Sequence, residues 1–429
     1  MRTPAPTTLL AATLAIVCAV PPTTLHAETY EVNPGDDWSQ LGPRLKAGDE
    51  VLLLDGVHVP AAFEGLAGEA GRPIVFRPKD PRALVQIKPD REGIKLLDCR
   101  HLRIERIAIR SARRAGVVVE GSEAGRSEDI ALHDIYVLGT VGLSEQAGLL
   151  ATRTDRLDLR RSRFENCAGA AVHLESVRFA TLETLQLRAS PPTRPTFGLL
   201  AVGDCEELDC TDLWIAGEFA VGVSLGAKDA VSRRSRERTV ADVPPPASVR
   251  RETETSPPPD PGSSEPPAAT PAQGPDETAA LGPRVRAAGI SQCLIRGVGA
   301  AFELGSCELV EIRNCSIIEP TSSVLVLVRP PKERPPLRAN FRENLVTWRP
   351  GSITRFAAVV GGTDITGLRL GPNLWWSEEL PSALPLLGPE PRFFPGTLDV
   401  PQTIDLDPAL DPRGRTTTPA AKIFGRSVG

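Results

Sequence analysis

From Gly93 onward the chain alternates apolar and polar residues in short runs that return at a regular spacing. One run reads Leu102, Ile104, Ile107, Ile109 and recurs as Ile130, Leu132, Ile135, Val137, as Ala180, Leu182, Leu185, Leu187, and as Val310, Ile312, Cys315, Ile317. Period-two alternation puts one set of side chains on one face of an extended strand. Repeats of roughly 20 to 30 residues, each closed by a turn, build a solenoid whose coils bury an apolar ladder only by stacking on their neighbours. A second run follows a leading Gly, and its first and third residues are expected to point inward: Ile94 and Leu96, Val117 and Val119, Leu149 and Ala151, Ala170 and Val172, Leu199 and Ala201, Val223 and Leu225, Ala300 and Phe302. All are apolar. The predicted fold class is an all-β solenoid of parallel strands, a rod on the order of 40 Å long at about 4.8 Å per coil.

The pattern divides the chain. Residues 1–27 carry Arg2, an apolar run from Leu9 to Val20, Pro21 and Pro22, and a small residue at Ala27, which reads as a signal peptide with the mature chain starting near Glu28. No other stretch approaches the roughly 18 apolar residues of a membrane span. Residues 28–92 are expected to form an N-terminal cap and the first coils. A short amphipathic helix from Trp38 to Lys46 covers the open end, and strands lie at Glu50 to Leu54, Gly71 to Arg77 and Leu84 to Ile87. Coils fill 93–227. Residues 228–284 are rich in Pro, Ser, Thr, Glu and Ala and read as a disordered insertion that divides the solenoid in sequence but not in space. The register resumes at Val285 and runs through 285–375; 376–429 reads as an irregular tail.

Composition agrees with short strands and turns. Aromatic residues make up 4% of the 429 residues, with 1 Met, 42 Pro and 37 Gly. The net charge of -5 is mixed along the chain, with no basic tail for nucleic acid and no basic amphipathic helix for a membrane surface. Seven cysteines follow the signal segment. Cys210, Cys293 and Cys315 sit where other coils carry Ile107, Ile135, Leu185 and Leu213, and read as core residues. Cys99, Cys205 and Cys307 share the turn between the two runs, where a disulfide needs Cα atoms within about 7 Å. Neither set has zinc-ligand spacing, and no cofactor is expected.

With apolar inward ladders, chemistry must sit on outward positions. The residue between the last two apolar members of the first run gives the column Ala108, Tyr136, Arg163, Gln186, Trp214, Leu294, Ser316. Tyr136, Arg163, Gln186 and Trp214 make a strip of stacking faces and planar donors suited to sugar rings and carboxylates, with His133 and Arg160 as neighbours. Long polar side chains also cover sheet faces without binding anything, so a scaffold role stands beside the binding one. A second outward column is read as Leu97, Glu120, Thr152, His173, Val202, Gly226 and Glu303, with His173 a candidate general base.

The run Lys46-Ala47-Gly48-Asp49-Glu50-Val51-Leu52-Leu53-Leu54-Asp55-Gly56-Val57-His58, followed by Gly68 through Arg77, resembles the opening segment of secreted right-handed parallel β-helix proteins of the pectate-lyase-like superfamily, in particular the chondroitinase-B and alginate-lyase type. Ile404 to Leu410 resembles the tail that often ends them. The resemblance implies a right-handed single-stranded β-helix and a polysaccharide partner; an exported or cell-envelope location follows from the signal segment, and a monomer is expected. Lyases of this type neutralise a uronate carboxylate with Ca²⁺ or Arg and remove the neighbouring proton, around a motif N-R-F-x-G-K with an Arg about one coil later. Here Ser162-Arg163-Phe164-Glu165-Asn166-Cys167 matches it with Cys167 in the Lys place, and Arg188 takes the later Arg position. A Ca²⁺ ligand set is not identifiable. The paired Asp residues of polygalacturonases and the D-P-H-D run of mannuronan epimerases are absent. The functional expectations are therefore an exported β-helix that binds an anionic polysaccharide, with Arg188 and His173 as candidate catalytic residues of a degenerate or altered lyase. The alternatives are an adhesive envelope scaffold and an active lyase or epimerase with a non-standard site.

Overall fold

The structure, a computed structural model, describes residues 27–377 apart from 141–145, 192, 194, 228–284, 330–336, 350, 354, 361–362, 364–365 and 372. The expected signal segment and insertion, and all but the first residues of the expected tail, lie outside the described residues.

Each coil gives one strand to each of three parallel sheets, which hold 13, 11 and 10 strands. In one coil these strands are Ser127–His133, Tyr136–Thr140 and Ala147–Thr152, and in the next Thr154–Arg160, Arg163–Cys167 and Ala170–Glu175. We call them the first, second and third sheets, in that order along the coil. The result is a right-handed parallel β-helix. The first sheet's path runs from Thr29–Val32 to Leu368–Leu370. Leu374–Ser377 still pairs with Leu345–Trp348, so the stack reaches just beyond the expected boundary at 375. Cys205–Thr211 pairs directly with Val285–Ser291, and Val221–Leu225 with Ala300–Leu304, so the stack is continuous across the insertion.

Single left-handed residues turn the corners. Between the first and second sheets stand Arg106, Asp134, Arg161, Thr184, Asp212, Gln292, Asn314 and Glu343, with φ from 48° to 58°. Such residues cost about 1 kcal/mol each outside glycine, and the stacked core imposes them. The inward residue after each corner is Ile107, Ile135, Ser162, Leu185, Leu213, Cys293, Cys315, Asn344 or Asn373. Where it is polar it satisfies buried backbone: Asn344 Oδ1 accepts from the Cys315 amide at 3.0 Å and Asn344 Nδ2 donates to Ile312 O at 3.1 Å.

The leading glycines have a steric reason. They face inward where the third sheet meets the second, and a Cβ on Gly116 would lie 2.6 Å from Val137 Cγ1, one on Gly148 2.6 Å from Phe164 Cδ1. In two coils the corresponding residue is Ala171 or Ala301 rather than the glycine two places earlier. The inward pairs there are therefore Val172 with Leu174 and Phe302 with Leu304, and Ala170 and Ala300 point outward, contrary to the sequence expectation.

Trp38 closes the N-terminal end of the core against Phe63 and Phe76, with ring centroids 5.6 Å away in both cases. It lies on a 3-10 helix, Trp38–Arg44, whose turn is tightened by Pro43. All seven described cysteines are buried and free. Cys293 and Cys315 stack in the expected corner column, but Cys210 pairs with Leu182 and Ile290, one inward column earlier. The turn cysteines do not stack on one another, because Val285 separates Cys205 from Cys307. Burial raises the thiols of Cys99 and Cys205 to about 11 and those of Cys167 and Cys307 to about 12.

Candidate functional site

The outer faces of the three sheets differ in kind. On the third, Ala115, Val118, Ala147 and Leu150 form one apolar cluster and Phe197, Leu200, Val202 and Val221 belong to another; both are buried. On the first, charged side chains of opposite sign alternate and pair across coils. Arg178 donates to Asp155 at 2.8 and 2.5 Å, and Arg126 to the same carboxylate at 2.6 Å. Along the described strands of the second sheet, Arg110, Arg163, Arg188 and Arg296 stand against one carboxylate, Glu165.

Tyr136, Arg163, Gln186 and Trp214 occupy successive strands of the second sheet in direct register, as the column reading expects. They are half-buried, whereas Ala108 before them and Leu294 and Ser316 after them are buried, so these four form the accessible window of the column. The neighbouring outward column holds Arg110, Leu138, Glu165, Arg188, Ala216 and Arg296.

The two columns interlock at Glu165. Tyr136 Oη donates to Glu165 Oε2 at 2.9 Å. Arg163 Nε donates to Oε1 at 2.7 Å, its Nη2 bonds the same oxygen, and Arg188 Nη1 lies 3.6 Å from it. The Arg163 guanidinium also stands over the Tyr136 ring at 5.5 Å, and that of Arg188 over the Trp214 ring at 5.4 Å. Burial, followed by the hydrogen bond to Glu165 and its charge, holds the Tyr136 phenol above its ordinary range, so it stays a neutral donor. Trp214 Nε1 is buried without an acceptor among the described residues, so the accessible part of the half-buried indole is not its N–H.

The remaining predicted residues lie elsewhere. His133 and Arg160 end strands of the first sheet, at the corner beside the strip, and share Asp158: His133 Nε2 is 3.1 Å from Oδ2 and Arg160 Nε 2.6 Å from Oδ1. Arg160 Nη1 also reaches Glu183 at 3.0 Å. His173 lies on the third sheet between Leu150 and Leu200, on a different face from Arg188. It does not share a column with Glu120, which pairs with Thr152; the shift follows from Ala171 replacing the leading glycine. Cys167 points into the core, and Asn166, at φ 54°, turns the chain ahead of it. The Lys place of the lyase motif is thus an interior position here. Glu165 and Arg110 are not among the residues the sequence pattern marks as candidates, although alternation puts residues 163 and 165, or 186 and 188, on one face of a strand. Among the described residues no group of three or more His, Cys, Asp or Glu is arranged to hold a metal ion.

No protein-family model matches this sequence, and no curated protein matches it. Solved structures do. The alginate lyase from Paenibacillus sp. str. FPU-7 aligns over 82% of this chain and 96% of its own at 10% identity, with a TM-score of 0.40. Pectate lyase Pel9A aligns over 80% and 79% at 9% identity, with a TM-score of 0.43. A GH136 lacto-N-biosidase from Eubacterium ramulus aligns over 82% and 67% at 12% identity, with a TM-score of 0.42. The likeness is one of fold. The chemistry has to be read from this chain's own residues.

Proposed function

We propose that this chain is an exported β-helix that binds an anionic polysaccharide along the outer face of its second sheet. The observation that carries the reading is the accessible in-register window of Tyr136, Arg163, Gln186 and Trp214, on a face where arginines outnumber carboxylates in a chain of net charge -5. Rings offer apolar surface to sugar C–H faces, and guanidiniums give paired donors to carboxylates. Because rings and guanidiniums are spread over successive coils along the rod, the face suits an extended polymer better than a single small anion. Export is read from the apolar run before Glu28; no helix among the described residues is long and apolar enough to cross a membrane.

The reading is one of binding rather than β-elimination. A proton-abstracting base needs a free lone pair near neutral pH, whereas the Tyr136 phenol is held protonated and Arg188 faces a carboxylate already in place. Affinity electrophoresis through gels containing alginate, polygalacturonate, chondroitin sulfate or a neutral glucan tests the proposal. Retardation by an anionic polymer, lost in Arg163→Ala and Trp214→Ala, is expected; migration unchanged by every polymer overturns it. Incubation with the same polymers is expected to give no rise in unsaturated-product absorbance, and a rise would replace binding with catalysis.

A further inference from the structure

Glu165 interrupts an otherwise cationic face, and its partners are the groups a ligand carboxylate would use. Its two oxygens are divided between donors of different kinds: Oε1 takes Arg163 at 2.7 Å and faces Arg188 at 3.6 Å, and Oε2 takes the Tyr136 hydroxyl at 2.9 Å. A planar two-oxygen acceptor fits this arrangement. The two arginines have a second support besides Glu165. The guanidiniums of Arg163 and Arg188 rest over the rings of Tyr136 and Trp214, and the strands beneath them are locked by pairing on both sides. Both arginine side chains are 42% exposed, against 13% for Glu165, so an incoming anion meets the cations from the solvent side while Glu165 lies beneath them.

We infer that Glu165 is an internal occupant of a carboxylate site, and that the ligand of this face presents a uronate carboxylate, rather than a sulfate ester, which exchanges with it. The inference rests on the anionic-polysaccharide reading and names its charged group. Tyr136 and Arg163 then serve the same chemical partner in the empty and occupied states, with Glu165 turning aside as the sugar acid enters. A negative side chain in the site sets a threshold: only a ligand with several acid groups, engaging several coils at once, displaces it well.

Calorimetric titration of wild type, Glu165→Gln and Glu165→Ala with polygalacturonate oligomers and with dextran sulfate tests this. Removing the internal negative charge is expected to tighten polygalacturonate binding roughly tenfold, since a like charge facing the ligand is removed, with a smaller gain for dextran sulfate. Wild-type binding with unchanged or weakened affinity in both variants makes Glu165 a positioning residue for the arginines and overturns the inference alone. A larger gain for dextran sulfate overturns the assignment to uronates. Loss of the folded state in both variants, read by circular dichroism, makes the carboxylate a fixed part of the face and also overturns it. Absence of binding by the folded wild type and variants to either polymer removes the proposed function itself.

Discussion

The outer faces of the first and second sheets are built on the same coils, yet they treat charge in opposite ways. On the first sheet most strand arginines meet an anion one coil away, among them Arg77 with Glu50 at 2.7 Å, Arg178 with Asp155 at 2.5 Å, and Arg342 with Glu311. Pairs this accessible contribute at most about 1 kcal/mol each. Their main effect is to leave little net field. Within the described strands of the second sheet there are four arginines and one carboxylate, Glu165, which meets Arg163 and Arg188, and these two arginines rest over aromatic rings. In a solenoid the backbone supplies the same platform everywhere, so function is written in which face is left electrically unbalanced.

The comparison breaks entirely if the shared scaffold is removed. Gly148→Val places side-chain atoms where a Cβ alone would meet Ala171 O and Phe164 Cδ1 at 2.6 Å and Cys167 Sγ at 2.8 Å. We expect a loss of about 4 kcal/mol or failure to fold, measured by chemical denaturation, with both faces lost together. Trp214→Ala separates the faces. It is expected to weaken anionic-glycan binding roughly tenfold or more with little change in unfolding midpoint, since the ring is an anchor on the accessible window.

Asp155 sharpens the contrast from the other side. Burial alone would raise its pKa, but hydrogen bonds from Arg178 and Arg126 outweigh burial and hold it below the ordinary carboxylate value. A folded pKa below the unfolded one gives stability that is present above the unfolded pKa and lost as pH falls through the folded one. Asp155→Asn should therefore cost about 1 kcal/mol or less at neutral pH, given the half-exposed guanidiniums, and flatten the acid limb of a denaturation series without altering glycan affinity.

Smaller effects report on the second face. The chain holds 2 tyrosines, so in Tyr30→Phe the tyrosinate absorbance follows Tyr136 alone. Its midpoint should lie above the usual phenol value, and adding Glu165→Gln should lower it only in part, because burial is the larger cause. The smallest expected change is a gain. Ala287 holds φ 54° with a side chain too short to bond anything, so Ala287→Gly should stabilise by about 0.5 kcal/mol in thermal unfolding and leave both faces unchanged.

Much of this architecture is legible in the sequence because burial on one face forces alternation, and stacking forces it to recur. The columns Leu102, Ile130, Ala180, joined through Leu157, and Tyr136, Arg163, Gln186, Trp214 are both strand pairings in the structure. The errors occur where one residue type can do another's work. Ala171 substitutes for a glycine and shifts His173 by a column, and Cys210 passes for a member of the next ladder because both interior sites accept a small thiol. Cys167 falls on the Lys place of the motif because a motif carries no information about the bend at Asn166 that turns it inward. Glu165 escaped notice for a different reason: its importance lies in three partners on two other strands and its own, a relation that spacing along the chain does not display.

Under the proposed function, the second sheet's charge imbalance, not the total number of arginines on the rod, binds the ligand. The most direct measurement compares two double variants of equal net charge by calorimetry with polygalacturonate: Arg163→Ala with Arg188→Ala on the second sheet, and Arg103→Ala with Arg178→Ala on the first. A loss of more than roughly tenfold in the first variant, with the second within about twofold of wild type, is the predicted result. Equal losses in the two would contradict it.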